Sequence, residues 1–267
     1  MTDPDTEQRS NNPSIAELRL VTQPESVRTR AGAEHWVASA YLRDLSPYLT
    51  RVLLKAGFSA NGVTWLMIVA AGLAAVVTGW PGLVSAIVVV LLVQLQMLLD
   101  CSDGEVARWR KVSSPVGVYL DRVGHYVAEC GIAVGLGVRA TGALQLGGVW
   151  ISLGLLLGLL VALNKVENDL VHVARAYTGM TQVRDAEAVK VPSQGVVRTL
   201  RRMARLVPFH RVFHSVELSL LILVAAIVDV AGADGQATRV LLVGLVAAAA
   251  ITVVGHLAAV LTSSRLR

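Results

Sequence analysis

Charge and aromatic side chains are scarce in this 267-residue chain: Asp, Glu, Lys and Arg make up 16% of it, and Phe, Trp and Tyr 5%. With a mean hydropathy of +0.59, so little charge cannot cover a water-soluble domain. Cysteine is nearly absent as well. Cys101 and Cys130 have no paired Cys or His at ligand spacing, so no zinc site is expected and both thiols are expected to be reduced. The patterns GxxxxGK[ST], GxSxG and HExxH do not occur, which removes P-loop hydrolysis, serine-elbow chemistry and zincin chemistry from the first rank of readings. No internal repeat is apparent. The opening residues, MTDPDTEQRSNNPSIAELRL, lack the basic start and apolar core of a secretory signal.

Long apolar runs are what the chain does have. A membrane-spanning helix needs about 20 mostly apolar residues, and runs of that kind lie near 62–79, 82–99, 117–138, 144–163, 215–232 and 240–261. The third is interrupted by Asp121, Arg122, His125 and Glu129. Before the first, Trp36, Val37, Tyr41, Leu42, Tyr48, Leu49 and Leu53 alternate with Arg43, Arg51 and Lys55, with a break near Pro47. That pattern predicts a helix lying on the membrane surface. The expected fold is therefore an all-α integral membrane protein with six transmembrane helices and an N-terminal interfacial amphipathic helix. Residues 1–33 are expected to be a polar, flexible tail and 34–267 a single membrane domain. SANGVT, residues 59–64, reads as a turn and helix start with Asn61 or Ser59 as cap.

Lys and Arg set the expected orientation, because cytoplasmic loops are enriched in them. Arg43, Arg51 and Lys55, then Arg108, Arg110 and Lys111, then the basic residues between 165 and 214 all fall on one side. The alternate connections hold only Arg139 and Arg239. Both termini are thus expected in the cytoplasm of a multi-pass cell-membrane protein. The isoelectric point of about 9.6 calls for no nucleic acid, since basic loops beside anionic lipid account for it.

One charged stretch, DCSDGEVARWRKVSSPVGVYLDRVGH at residues 100–125, lies close to the apolar runs, where burying charge is expensive. If the second span continues as helix, Asp100 and Asp103 share a face, and Gly104 and Ala107 leave it without bulky side chains. Asp121, His125 and Glu129 recur every four residues on a second helix. Carboxylates so arranged suit hard divalent cations such as Mg²⁺, which bind phosphates through shared coordination and serve in-line phosphoryl displacement.

The order Asp100, two residues, Asp103, Gly104, two residues, Ala107, Arg108, eight residues, Gly117, three residues, Asp121 closely resembles the signature of the CDP-alcohol phosphatidyltransferase family. The detailed resemblance covers residues 100–125, and SANGVT is weakly similar to a segment common before the family's first span. The resemblance implies transfer of a phosphoalcohol group from a CDP-alcohol, CDP-diacylglycerol above all, to an acceptor hydroxyl of unassigned identity, with release of CMP. It also implies membrane lipids as partners and a homodimer. Carried over residue by residue, Asp100, Asp103 and Asp121 hold two Mg²⁺ or Mn²⁺ ions, and Gly104, Ala107, Arg108 and Gly117 shape the cytidine and phosphate site.

The family's last signature position is normally an Asp acting as base and metal ligand, and here it is His125. The imidazole is open to three readings: base or metal ligand, hydrogen-bonded packing residue, or mark of an inactive member. The contrasting function is a noncatalytic transporter or scaffold built on a degenerate family member. Glu129 stands as a partner orienting His125 or as an unrelated polar residue. The stripe Asn164, Asn168, His172 and the cluster Arg201, Arg202, Arg205 are weaker candidates for acceptor binding, against a solvated helix end and lipid anchoring respectively. Gly131, Gly135, Gly154 and Gly158 predict close helix packing within the chain.

Overall fold

The computed structural model describes residues 9–28, 36–144, 146–180 and 209–262. Those residues contain helix and no strand: α1 (Ile15–Thr22), α2 (Glu25–Arg28), α3 (Arg43–Lys55), α4 (Ala60–Thr78), α5 (Leu83–Trp109), α6 (Pro115–Ala140), α7 (Val149–Tyr177), α8 (Ser215–Val228) and α9 (Gln236–Thr262). A π-helical turn, Ala38–Leu42, runs directly into α3, and another, Asp229–Ala233, extends α8.

Five of these segments, α4, α5, α7, Ser215–Ala233 and α9, are long and apolar enough to cross a membrane, which makes this a multi-pass membrane protein. Their outward positions are apolar too. Val84, Val240 and Ile251 are 76%, 70% and 74% exposed, a surface suited to lipid rather than water. The interrupted third run is helical as α6 but is not one of the five, because Asp121, Arg122, His125, Glu129 and Arg139 lower its hydropathy.

The described chain divides into two compact units, Met1–Ala71 with Gln94–His125, and Gly72–Val93 with Tyr126–Arg267. In the first, Leu18, Leu53, Leu54, Val63, Met67, Leu99, Val106 and Trp109 form one apolar cluster. Leu18 belongs to the stretch expected from composition to be a flexible tail, and the structure corrects that expectation for residues 14–22. Ser14 and Glu17 form a reciprocal capping box: the Ser14 Oγ accepts the Glu17 N–H at 3.2 Å and the Ser14 N–H donates to Glu17 Oε2 at 2.7 Å. Such a cap starts a helix, and burying Leu18 then holds it against the core.

Pro47 lies inside α3 and has no N–H for the carbonyl four residues back, that of Arg43. Gln23 supplies the missing donor, its Nε2 reaching the Arg43 carbonyl at 2.6 Å. The same Nε2 donates to Glu105 Oε1 at 2.8 Å, and Ser46 Oγ and Thr50 Oγ1 donate to the Glu105 carboxylate at 2.5 and 2.7 Å. Glu105 is fully buried. Three neutral donors from the N-terminal segments thus fasten α3 to the charged end of α5. The opposite face of α3 presents Leu45, Tyr48 and Val52, all at least half exposed.

In the second unit, glycines bring helices to backbone contact. A Cβ on Gly154 of α7 would lie 2.6 Å from the Gly137 Cα of α6, and one on Gly135 would lie 2.5 Å from the Ala75 carbonyl oxygen of α4. Gly131 meets Ala75 and Gly158 meets Val134, so all four predicted small residues serve packing within the chain. Arg139 is buried and donates to the carbonyls of Trp80 and Gly82 at 2.6 and 2.5 Å and to Ser85 Oγ at 3.0 Å, tying the α4–α5 connection to the end of α6. Arg239 likewise donates to the Ala140 carbonyl at 3.0 Å and lies over the Trp150 ring.

Candidate functional site

α5 stays helical through Gly104 to Trp109, so Asp100, Asp103 and Ala107 occupy one face at intervals of three and four residues. Lys111 closes the helix end in the left-handed region (φ 52°), with the Val112 N–H returning to the Ala107 carbonyl at 3.0 Å. α6 then begins with Ser114 before Pro115, and Ser114 Oγ accepts the Gly117 N–H at 3.0 Å. Capping at Ser114 fixes the start of α6, and the helical repeat sets Asp121 and His125 one above the other.

The two helices bring Asp100, Asp121 and His125 together. His125 Nε2 lies 3.2 Å from Asp100 Oδ1 and 3.6 Å from Asp121 Oδ1, and one ligand atom from each of the three residues falls within 4.8 Å of the others. Side-chain exposures of 23%, 43% and 29% for Asp100, Asp121 and His125 leave the cluster open to a ligand. Gly124, next to His125, lets α6 approach α4, since a Cβ there would meet the Met67 methyl at 2.0 Å.

Asp103, one turn along α5, is outside this group of three. Its Oδ2 accepts a hydrogen bond from Thr64 Oγ1 at 2.7 Å. Thr64 was absent from the sequence candidates, although it ends the SANGVT segment that reads as a helix start. Asn61, expected there only as a cap, approaches Gly117 so closely that a Cβ on that glycine would lie 3.1 Å from Asn61 Oδ1. Gly104 lies beneath the Arg108 guanidinium, with its missing Cβ 3.0 Å from Nη1. Arg108 Nε donates to the Thr22 carbonyl at 2.6 Å, one of the carbonyls that the end of α1 leaves without a helical donor. Part of Arg108 therefore anchors α1. Ala107 is half-buried on the same face.

The remaining candidates lie elsewhere. Glu129 is buried and paired with Lys165 at 2.8 Å, and Tyr126 Oη donates to Asp169 at 3.2 Å. Asn164 Oδ1 is 3.1 Å from His256 Nδ1, while Asn168 and His172 are exposed, so that stripe does not converge. Arg201, Arg202 and Arg205 lie outside the described residues. Cys101 is buried and Cys130 half-buried, and both are free thiols.

The donor set fits a hard divalent cation: two carboxylates and an imidazole nitrogen already converge, a third carboxylate lies one turn away, and oxygen ligands suit Mg²⁺ or Mn²⁺. Comparison with known proteins agrees with that chemistry. No curated protein is detectably similar to the chain. The family model described as CDP-alcohol phosphatidyltransferase matches residues 58–193, just over half of the sequence and the whole of the Asp100–His125 stretch. Members transfer phosphoalcohol groups from CDP-alcohols in lipid synthesis, and they generally depend on a divalent metal. With that match over α4 to α7 and two of the signature carboxylates, Asp100 and Asp121, gathered beside His125, the chain belongs to the CDP-alcohol phosphatidyltransferase family.

Proposed function

We propose that the protein transfers the phosphatidyl group of CDP-diacylglycerol to a hydroxyl acceptor and releases CMP, with Asp100, Asp103, Asp121 and His125 as its reaction centre. The observation that carries this reading is the convergence of Asp100, Asp121 and His125. A pair of divalent ions, when bound, would supply charge neutralisation at the diphosphate. Asp100, Asp103 and Asp121 would hold them, and Thr64 keeps the Asp103 carboxylate in place. His125 Nε2 takes the proton of the acceptor hydroxyl. The acceptor oxygen bonds to the phosphorus that bears the lipid alcohol, and the bond from that phosphorus to the cytidylate oxygen breaks. Gly104, Ala107 and Gly117 let the nucleotide approach the helix backbone, and Arg108 borders it. Purified protein given CDP-diacylglycerol and a panel of polyol, amino-alcohol and phosphorylated polyol acceptors releases CMP with at least one of them. Solute uptake into vesicles with no CMP formed from any pair would instead establish a transporter.

In this reading α6 is a sixth membrane span. It is 26 residues long, roughly 39 Å, enough to cross. Its polar groups have internal partners: Glu129 pairs with Lys165, and Arg139 bonds to carbonyls, which lowers the penalty for polar groups in lipid. α3 lies at the interface, its Leu45, Tyr48 and Val52 stripe against the acyl boundary. The reaction centre and both termini face the cytoplasm of the cell membrane. Arg139 and Arg239, the basic residues on the opposite side, are both bonded to carbonyls. Tags beside Pro81 and Gly235 are labelled by impermeant reagents from outside the cell, and a tag beside Lys111 only after permeabilisation. The reverse pattern would put the site where cytidine nucleotides are scarce and end the proposal.

A further inference from the structure

Two contacts align the start of α3 with α5. Tyr41 Oη donates to Gln94 Oε1, and Ser46 Oγ donates to Glu105 at 2.5 Å. Arg43 lies between Tyr41 and Ser46 in sequence, and Asp100 lies between Gln94 and Glu105. The two tethers therefore bracket Arg43 at the level of Asp100. Its backbone is pinned as well, since Gln23 holds its carbonyl at 2.6 Å. The half-buried side chain leaves the helix where the π-helical turn Ala38–Leu42 ends, and insertions of that kind recur at functional sites. Electrostatic attraction between Arg43 and Asp100 is among the interactions acting on that carboxylate.

Resting on the function proposed above, we infer that Arg43 holds the phosphate that is transferred. The order of residues along α5 assigns the phosphate. Gly104, Ala107 and Arg108, which border the nucleotide, lie toward the polar end of the helix, whereas Asp100 lies toward its apolar middle. A lipid CDP-alcohol laid along this face puts its cytidylate at the first group and its alcohol-bearing phosphate at the second. There the guanidinium donates N–H bonds to the nonbridging oxygens of the phosphorus under attack, a planar fork matched to phosphate. It holds that charge while the acceptor oxygen bonds to phosphorus, the cytidylate oxygen leaves with its electron pair and the hydroxyl proton passes to His125.

CMP and CDP in Mg²⁺ buffer separate the two phosphates, because only CDP carries a stand-in for the transferred one. Arg43→Gln in the full chain weakens CDP binding about tenfold or more, the scale of charged hydrogen bonds, and leaves CMP binding within about twofold. Arg43→Lys recovers part of the loss. Arg51→Gln, on the same helix but bonded to Asn12, behaves as wild type. An Arg43→Gln protein that keeps the wild-type ratio of CDP to CMP affinity, or that loses both nucleotides equally, overturns the inference. A wild-type protein that binds neither nucleotide shows instead that the underlying functional reading has failed.

Discussion

Asp100→Asn and Asp121→Asn each lower CMP release at least about a thousandfold, the scale expected when a fixed stabiliser of transition-state charge is lost. Chelation of divalent ions does the same to the unaltered protein. Each substitution keeps the shape of the side chain and removes its charge, so the ability to hold a cation falls while packing is preserved. Fold loss is not the route, because both side chains are partly exposed, at 23% and 43%. Asp103→Asn is equally damaging to turnover, and its amide oxygen still accepts the Thr64 hydroxyl, so the local hydrogen bond survives. Mn²⁺ titration of the three variants, followed by spin resonance, reports the weakened metal binding without reference to catalysis. Wild-type turnover in any one of them would remove that residue from the reaction centre.

His125→Ala lowers turnover by about two to four orders of magnitude and leaves CDP-alcohol binding largely intact. The imidazole is a competent proton acceptor, and its Nε2 lies 3.2 and 3.6 Å from the Asp100 and Asp121 carboxylates. His125→Asp, which restores the residue usual in the family, retains measurable activity. The Mn²⁺ titration separates the two roles of the ring: a base leaves metal affinity near wild type, whereas a metal ligand takes it down with turnover. Should His125→Ala turn over as fast as wild type, the ring is only a packing residue. The nearest alternative base on the same stripe, Glu129, is buried and tied to Lys165, so it offers no ready substitute.

The cluster of Asp100, Asp121 and His125 was legible because it rests on helical periodicity. Asp100 and Asp103 on one helix, and Asp121 and His125 on the next, fall on common faces by counting, and Ser114 with Pro115 marks where the second helix starts. The same counting put Glu129 on the His125 stripe, but it cannot see that Lys165, 36 residues away, claims Glu129. Thr64 beside Asp103 and Gln23 beside Glu105 were hidden for the same reason, since their partners are 39 and 82 residues distant and only tertiary packing joins them. The α1 helix was different. Its signal, Ser14 three residues before Glu17, stood in the sequence but was outweighed by the polar composition around it. In the proposed six-span reading the third apolar run meets the limit of hydropathy, which counts each charged residue as a cost whether or not a neighbour satisfies it.

The bonds from Gln23, Ser46 and Thr50 to Glu105 also impose an order on biogenesis. Chains emerge from the ribosome N-terminus first, so the donors are made well before their acceptor. Until Glu105 arrives, the Ser46 and Thr50 hydroxyls lack this acceptor, while the Gln23 amide already has the Arg43 carbonyl. When it does arrive, a carboxylate at the end of an apolar helix meets three waiting donors, and an unsatisfied buried charge would be costly. Docking of the N-terminal segments onto α5 through these bonds therefore cannot precede the synthesis of Glu105. A chain stalled before Glu105 can pack Leu18 against Leu53 and Leu54 but cannot yet fasten α3 to α5 through this carboxylate.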